Sequence, residues 1–480
     1  MKVTRLNEHN KIKLSNSQTE AVASIKDWFV NKRSLIYTLS GGAGTGKTFL
    51  TNHIIKTIFR GKRVLVSAPT HKAVRVIEAF TRLNGKTAHS LHGLRPNFNL
   101  SNFNIDKVKF ESLGINKFNN YDVIIMDESS MIGKDLHKLT KIRALQYNTN
   151  VMFVGDKLQL LPVKEDTISE VFNSQYNYNL TDIIRQADTN EIIELLIMLR
   201  YDVLNNTATF LNFIMKNRLG ITKGEGYRVM NLTQFITYIK ESFTSDEFDN
   251  NISAYRIGTY TNASVNRWNK YVRALLTNSK DLITIGDRLM GYKTIVDEFL
   301  SPIILNSNEY LVIKVDYKIS DDNFKVFEIE VQDYYSGMIY NIYIVDHTDK
   351  TFINYYNKIC QLHRNALYGD VIKKGILWKT YYHYKETFMC MIDFDLVYDG
   401  SKHANVKREI DYAYAVTIHK LQGSTIDNII IDGMDICFHN SNKRSPRTNN
   451  TNNPNVINNR NRLLYTGLSR AGKTGNILYY

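Results

Sequence analysis

The sequence predicts an α/β chain in which parallel β-sheets are flanked by helices. Short apolar runs rich in β-branched residues alternate with helical stretches, which is typical of a doubly wound parallel sheet. In the first part of the chain these runs lie at Leu35–Leu39, Val64–Ala68, Val123–Met126 and Val151–Val154. A second alternating region begins near Ile192, so the sequence predicts two such sheets.

Other segments define the remaining elements. Before the first run, one face of a predicted helix carries Ala21, Val22, Ile25, Trp28 and Phe29, and this helix is expected to pack on the sheet. The second region contains a strand at Ser253–Tyr260 and another at Ile429–Ile431. The Tyr-rich residues of about 286–405 predict an inserted β domain with a helical arm. Residues of about 95–121 interrupt the first region and predict a small subdomain.

Composition narrows the class of protein. Of the 480 residues, 43% are hydrophobic and 22% are charged, which is typical of a folded protein and not of a disordered one. The net charge of +14 favours a polyanionic partner such as nucleic acid. We find no signal-peptide core and no apolar run that could span a bilayer, so a soluble cytoplasmic protein without membrane contact is expected. Cys360, Cys390 and Cys437 show neither a disulfide framework nor a zinc pattern.

The segment GGAGTGKT fits the phosphate-loop pattern G-x-x-x-x-G-K-[ST] between a predicted strand and a predicted helix. Its glycines let backbone N–H groups converge on phosphate oxygens at a helix N-terminus. Lys47 is expected to meet the β and γ phosphates, and the Thr48 hydroxyl to help hold Mg²⁺. The sequence therefore predicts an ATP site whose loop consists of Gly41, Gly42, Ala43, Gly44, Thr45, Gly46, Lys47 and Thr48.

Acidic and cationic residues in other segments complete a set for phosphoryl transfer. Asp127 and Glu128 end the strand VIIMDE, where a parallel sheet faces its phosphate loop. Asp127 is expected to hold the metal with Thr48, and Glu128 to orient or deprotonate the attacking water. Gln159 in GDKLQLLPV could sense the γ-phosphate. Arg185 and Arg470 could stabilise charge, although either arginine taken singly could be an ordinary surface cation.

Nine segments in order resemble the superfamily 1B helicases of the RecD and Dda type over nearly the whole chain. They are GGAGTGKT, APTHKAV, SLHGL, MDESSM, GDKLQLLPV, LTDIIRQ, YTNASVN, AVTIHKLQGST and LLYTGLSRA. Mild departures from the pattern are Leu161, where proline is usual, and Ser469, where threonine is commoner. The resemblance implies two RecA-like P-loop NTPase lobes, the second interrupted by an SH3-like β domain with a helical arm.

The implied domains are a first lobe at 1–185 with the insertion at about 95–121, a second lobe at 186–285 and 406–480, and the inserted domain at 286–405. By the same resemblance Gln18 reads the adenine edge, and Gln422 with Gly423 links the nucleotide to the second lobe. The resemblance also implies that Arg185 and Arg470 act as arginine fingers.

Hydroxyl, amide and cationic side chains in both lobes are expected to hold a single strand by its backbone. They are Thr70, His71 and Lys72, then Thr417, His419 and Lys420, and, from family positions, Ser90, His92, Thr261 and Asn262. An ordinary loop or capping role is the alternative for each residue taken singly.

Aromatic residues in the insertion could form a pin that divides a duplex, since stacking on bases contributes about 1 to 3 kcal/mol per base. The candidates are Phe98, Phe103 and Phe110, with core packing of the subdomain as the alternative. Two interpretations are also open for Trp378, Tyr381 and Tyr382 in the arm. The resemblance implies contact with the insertion, and ordinary helix packing is the alternative.

The resemblance implies an ATP-dependent DNA helicase that moves 5′ to 3′ on single-stranded DNA and unwinds duplex forks in replication, recombination or repair. Two alternatives stay open: an RNA-directed helicase, and an ATPase or DNA-binding subunit of a RecD-type exonuclease complex. The expected cofactors are ATP and Mg²⁺. The expected partners are single-stranded and forked DNA, with a single-strand-binding or replication protein as a further candidate, and the chain is expected to act as a monomer.

Overall fold

The computed structural model describes residues 14–96, 110–112, 117–163, 165–182, 190–297, 301–438 and 454–480. These residues form two compact units. The first consists of the described residues within 1–69, 77–85 and 117–189, and the second of those within 70–76, 86–116 and 190–480. Two segments of the predicted first lobe, 70–76 and 86–116, are thus grouped with the second unit, and the predicted lobe boundaries stay a prediction.

The elements before residue 190 agree with the sequence pattern. They are α1 (Asn16–Val30), β1 (Ile36–Gly41), α2 (Lys47–Thr57), β2 (Val64–Ala68), α3 (His71–Thr81), β3 (Gly85–Thr87), α4 (Ala88–Leu91), β4 (Leu94–Pro96), β5 (Phe110–Ser112), β6 (Val123–Met126), α5 (Lys134–Tyr147), β7 (Asn150–Gly155) and β8 (Asn177–Leu180). The four predicted apolar strands correspond to β1, β2, β6 and β7, and the predicted amphipathic helix is α1.

The first sheet has the strand order β3-β2-β6-β7-β1-β8. Its pairings β2 with β6, β6 with β7, β7 with β1 and β1 with β8 are all parallel. Ile25 and Trp28 of α1 are buried in one core cluster with Tyr37 of β1. The predicted packing of this helix against the sheet is therefore confirmed.

The later elements follow from residue 190 onward. They are α6 (Ile192–Asn205), α7 (Thr209–Lys216), β9 (Leu219–Thr222), β10 (Glu225–Met230), α8 (Leu232–Phe243), α9 (Asp246–Asn250), β11 (Tyr255–Thr259), α10 (Asn262–Leu276), β12 (Arg288–Gly291), β13 (Ile295–Val296), β14 (Pro302–Ile304), β15 (Glu309–Ile319), β16 (Lys325–Asp333), β17 (Ile339–Val345), α11 (Phe352–Tyr368), α12 (Lys374–Thr387), β18 (Phe388–Met389), β19 (Phe394–Tyr398), β20 (Ser401–Val406), β21 (Ile410–Tyr412), β22 (Ala415–Thr417), α13 (Ile418–Leu421), β23 (Ile426–Asp432), α14 (Gly433–Phe438), α15 (Pro454–Leu468) and β24 (Ala471–Leu478).

The second unit contains a second largely parallel sheet, in the order β22-β11-β23-β24-β10-β9. Within the described residues, the edge strand β9 pairs antiparallel with β10, and the other strands of this sheet pair in parallel. The predicted strands in this region are β11 and β23. Strands from both ends of the unit's sequence enter this sheet, which confirms the prediction of an α/β fold with two RecA-like sheets.

A third sheet, in the order β18-β17-β16-β15-β12-β21, fills the interval between β11 and β22. Its pairings are antiparallel except between β17 and β18. The helices α11 and α12 form the predicted arm, and Trp378, Tyr381 and Tyr382 are buried in a core cluster there. Burial of these rings agrees with the helix-packing interpretation. Among the residues that the structure describes, no helix is long and apolar enough for a bilayer crossing.

A buried ion-pair cluster joins three parts of the second unit. Lys72, in the first turn of α3, donates to the Glu309 carboxylate of β15 at 2.8 Å. Arg256 of β11 donates to the other oxygen of Glu309 at 2.5 Å. All three residues are buried. Burial alone raises the pKa of Glu309, but Arg256 and Lys72 outweigh it and hold the pKa at about 2. Glu309 therefore stays ionised and neutralises cations from two other elements.

We expect Glu309→Ala to reduce the unfolding free energy of the second unit by about 3 to 5 kcal/mol, because it leaves two buried cations without their counter-ion. Asp316→Ala is the matched control on the same strand, since it removes an exposed carboxylate that pairs with Lys314. The control should cost about 0 to 1 kcal/mol. Urea unfolding followed by circular dichroism measures both losses, and equal losses would contradict a structural role for the buried cluster.

Candidate nucleotide site and strand-binding surface

The phosphate loop curls between β1 and α2 as its glycine pattern predicts. Gly44 and Gly46 have positive φ angles of 81° and 76°, a conformation that glycine adopts without a steric penalty. The Lys47 ammonium lies across the loop and donates to the carbonyl oxygens of Gly41 and Gly42, at 2.8 and 3.0 Å. The cation is thus already held where phosphate oxygens could replace these two carbonyls as acceptors.

Three adjacent strands, in the order β6-β7-β1, bring the predicted site segments to one edge of the first sheet. Parallel strands end at the same edge, so the loops after β6, β7 and β1 lie side by side. A Cβ added at Gly155, the end of β7, would lie 3.1 Å from the Ser129 nitrogen and 3.2 Å from the Ser130 nitrogen. A side chain at this position would push against the backbone after β6, so the segment after β6 packs closely against the end of β7.

The residues after β6 offer carboxylate oxygens that could bind a metal ion, and their backbone is strained. Asp127 accepts a hydrogen bond from the Glu128 backbone N–H at 2.8 Å. Glu128 has a φ of 50°, and a non-glycine residue in this region costs about 1 to 3 kcal/mol and is often found at functional sites. The Asp127 carboxylate and the Thr48 hydroxyl are oxygen ligands of the kind that Mg²⁺ prefers. These side chains of the first unit therefore fit the predicted metal ion.

Gln18 connects α1 to the phosphate loop. Its amide nitrogen donates to the Thr45 carbonyl at 3.3 Å, and its amide oxygen accepts from the Ser15 backbone N–H at 3.3 Å. The side chain thus uses both ends of its amide within the protein, and its adenine contact stays a prediction. Gln159 is buried after β7, and its backbone N–H donates to the Asp156 carbonyl at 3.2 Å.

The remaining predicted nucleotide residues lie in the second unit or outside the described residues. Arg185 lies outside the described residues. Arg470 is largely buried in the connection between α15 and β24. Gln422 is buried after α13, and its amide nitrogen has no hydrogen-bond acceptor among the described residues. Gly423 follows with a φ of 75°, and a Cβ there would lie 3.0 Å from the Ala73 Cβ. Gln422 therefore has an unused donor of the kind that a ligand could engage.

The predicted strand contacts of the second unit converge on the carboxyl ends of β11 and β22. These strands pair in parallel with Thr259 opposite Thr417, so the segments that follow them emerge together. The Tyr260 and His419 rings lie 6.3 Å apart, and Asn262 is exposed at the start of α10. The structure thus brings Asn262, Thr417 and His419 to one surface, as expected if they contact one ligand.

Asp435 is a residue at this surface that the sequence analysis missed. Its carboxylate accepts from the backbone N–H groups of Tyr260 and Thr261, both at 2.8 Å. It also accepts the Thr261 hydroxyl at 2.7 Å, which commits that hydroxyl's only proton. Asp435 follows Thr261 by 174 residues, so no local pattern could have indicated the contact.

The segment at the start of α3 and the SLHGL segment are only partly available to a strand. The Thr70 hydroxyl caps α3 by accepting from the Ala73 N–H at 3.2 Å. Burial and the nearby Arg75 lower the pKa of His71 to about 4, so its imidazole is neutral at physiological pH. Ser90 is exposed, whereas His92 is completely buried.

Two expected contacts therefore need correction for this conformation. The Lys72 ammonium is neutralised by Glu309 and buried, and the His92 imidazole has no exposed surface. The structure gives no support for direct strand contact by either side chain.

The candidate pin lies largely outside the described residues. Phe98 and Phe103 fall there entirely. The backbone of Phe110 begins β5, which pairs antiparallel with β4. The choice among the three aromatic residues stays a prediction.

Lys420 has an environment that makes its charge sensitive to pH. Its amino group donates to the Asn306 side chain at 3.0 Å and lies 4.1 Å from the centre of the Tyr292 ring. The Arg408 guanidinium lies over the same ring at 4.5 Å. Burial, together with Arg408 and Lys72, lowers the pKa of Lys420 to about 7. The amino group is therefore close to half protonated at neutral pH.

A phosphate loop follows β1, an amide side chain follows the adjacent strand β7, and acidic side chains follow the next strand, β6. This arrangement defines a P-loop nucleotide-binding protein. Comparison with known proteins narrows this class. A family model described as an AAA domain matches residues 13–212.

The ATP-dependent DNA helicase Pif1 of Campylobacter jejuni is 26% identical over 427 residues, which cover 84% of this chain and 83% of that protein. The ATP-dependent DNA helicase Dda of Enterobacteria phage T4 is 26% identical over 296 residues, 58% of this chain and 63% of that protein. A crystal structure of Pif1 helicase from Bacteroides in complex with ADP-AlF3 and ssDNA shares the fold. Its TM-score is 0.50 at 18% identity, and the match covers 97% of this chain and 92% of that one.

These matches confirm the resemblance to superfamily 1B helicases of the RecD and Dda type that the ordered sequence segments predicted. The two RecA-like sheets agree with that resemblance.

We expect the affinity for single-stranded DNA to fall as the pH rises from about 6 to about 8. The Lys420 amino group is cationic below its pKa and neutral above it, so its attraction to phosphate is lost as the pH passes about 7. Lys420→Arg should bind with little change across this range, since a guanidinium stays charged. Fluorescence anisotropy with labelled oligo-dT at constant ionic strength measures both profiles. Superimposable profiles for the two proteins would exclude Lys420 as the titrating group.

Proposed function

We propose that this chain is an ATP-dependent DNA helicase that translocates 5′ to 3′ on single-stranded DNA and unwinds duplex forks. The observation that supports the proposal is the strand order β6-β7-β1, because the three segments that carry the proposed phosphoryl-transfer residues follow these adjacent parallel strands. In the second unit, the ends of β11 and β22 lie side by side. The polar side chains that follow them are of the kind that binds the backbone of a single strand. Relatives named as ATP-dependent DNA helicases support the same activity.

The residues of the first unit divide the work of hydrolysis. Lys47 binds the β and γ phosphates, and the loop N–H groups stabilise the charge that develops on them. Thr48 and Asp127 would hold Mg²⁺, which supplies charge neutralisation for the phosphates when bound. Glu128 orients the attacking water and accepts its proton, while Gln159 contacts the γ-phosphate.

Coupling of hydrolysis to movement requires both units. We assign Arg185 and Arg470 as arginine fingers, and Gln422 with Gly423 as the nucleotide contact of the second lobe. Thr70, His71, Asn262, Thr417, His419 and Lys420 grip the backbone of the strand. Alternation of these grips with the nucleotide state gives net translocation, in replication, recombination or repair, by a cytoplasmic monomer.

We expect Lys47→Ala to reduce DNA-stimulated ATP hydrolysis by about a hundredfold or more, because the cation that binds the transferred phosphoryl group is lost. Binding of oligo-dT should change little. Lys56→Ala is the matched control, since Lys56 is an exposed lysine on the same helix. Steady-state phosphate release and anisotropy measure the two properties. Unchanged turnover by the Lys47 variant would remove the proposed ATP site.

We expect the isolated chain to displace a strand from forks that carry a 5′ single-stranded tail and to leave forks with only a 3′ tail intact. A gel assay with both substrates measures unwinding and polarity together. Displacement from the 3′-tailed fork alone would reverse the proposed direction. ATP hydrolysis without any displacement would favour a subunit of a larger complex, and stronger stimulation by RNA than by DNA would favour an RNA-directed motor.

A further inference from the structure

The turn between β16 and β17 presents two neighbouring tyrosines where turns usually carry small polar residues. Tyr334 and Tyr335 are 46% and 43% exposed, and Met338 and Ile339 beyond them are 57% and 53% exposed. The two tyrosine rings meet edge to face, with centroids 5.8 Å apart. Aromatic surface of this kind on an exposed turn indicates a binding partner rather than core packing.

One carboxylate fixes the turn rigidly. Asp333 accepts from the backbone N–H groups of Tyr335 and Ser336, at 2.8 and 3.1 Å. The same carboxylate receives a bidentate contact from the Arg75 guanidinium, at 3.0 and 2.8 Å. The Tyr334 N–H donates to the Glu309 carbonyl at 3.1 Å. The backbone that carries the two rings is therefore held in place before any ligand arrives, which lowers the entropic cost of stacking.

The turn lies against the first turns of α3, within the same compact unit. The Arg75 guanidinium lies 5.6 Å from the centre of the Tyr335 ring. Burial raises the pKa of the Tyr335 hydroxyl, and the nearby Lys72 cation opposes this rise. Thr70 and His71, which we assign to the strand backbone, directly precede Lys72 in sequence. The tyrosine pair is therefore next to a segment that is proposed to hold phosphates.

The charges around the turn favour a polyanion. Lys72 and Arg256 pair with Glu309, and Arg75 pairs with Asp333. Arg288 also interacts with the Glu309 charge, so this group of six side chains carries two more positive than negative charges. Exposed aromatic rings among basic residues are typical of surfaces that bind single-stranded nucleic acid. A duplex hides the faces of its bases within the stack, whereas a single strand exposes them.

We propose that Tyr334 and Tyr335 form a stacking platform for the bases of the single strand whose backbone is held at Thr70 and His71. The proposal rests on the proposed helicase function and adds to it a base-contacting site in the inserted β domain. The platform stacks on bases without reading their sequence, because every base offers a π-face. Arg75 and Asp333 act as positioning residues for it.

The test compares two ligands of equal length and charge: labelled oligo-dT and an abasic sugar-phosphate chain. The double variant Tyr334→Ala with Tyr335→Ala should bind oligo-dT about tenfold or more weakly than the wild-type chain, and the abasic chain equally well. Replacing both tyrosines with phenylalanine should retain the affinity for oligo-dT, because the rings remain. Tyr201→Ala, which removes an exposed tyrosine from α6, is the matched control and should bind like the wild type.

The outcomes separate this proposal from the one on which it rests. If the double alanine variant binds oligo-dT like the wild type, or loses affinity equally for the abasic chain, the stacking platform is refuted while the helicase proposal stands. If the wild-type chain itself binds no oligo-dT and its ATP hydrolysis is not stimulated by DNA, the proposed function fails first. Thermal unfolding of each variant, with an unchanged midpoint expected, shows that a lost affinity does not arise from misfolding.

Discussion

Hydrogen bonding between parallel strands is the constraint on which the candidate nucleotide site depends. Because β6, β7 and β1 run in the same direction and lie side by side, their carboxyl ends open onto one edge of the sheet. The Lys47 ammonium, the Asp127 carboxylate and the Gln159 segment each enter from a different strand. The candidate site is therefore divided among three segments of the chain. The hydrogen bonds between the strands fix the positions of these segments relative to one another.

Local features of the chain were predictable because they depend on neighbours in sequence. The glycine pattern around Lys47 needs positive φ angles at fixed offsets, and the apolar runs of β1 and β6 need burial on both faces. Both requirements can be recognised in the sequence without knowledge of the fold. The strand positions and the loop therefore agree with the sequence prediction.

The partners of buried charges were not predictable, since they depend on contacts between distant segments. Lys72 looked like a free cation beside a threonine and a histidine, but it pairs with Glu309, which lies 237 residues later. Thr261 looked like a strand contact, yet its proton goes to Asp435. In both cases the sequence showed a polar side chain that could bind a phosphate, but it did not show whether that side chain was free to do so. Whether a polar side chain can bind a ligand depends on the fold, because a side chain that is buried or already paired within the protein cannot reach one.

The contact between Asp435 and the end of β11 bears on how firmly this surface can hold an anion. The amide groups of Tyr260 and Thr261 are good donors for phosphate, but a carboxylate of the protein already accepts from them. A phosphate that reaches these donors has to displace an internal competitor, so part of the binding free energy is lost in the exchange. In the proposed translocation the strand has to be released at every step, and such competition would favour its release from this surface.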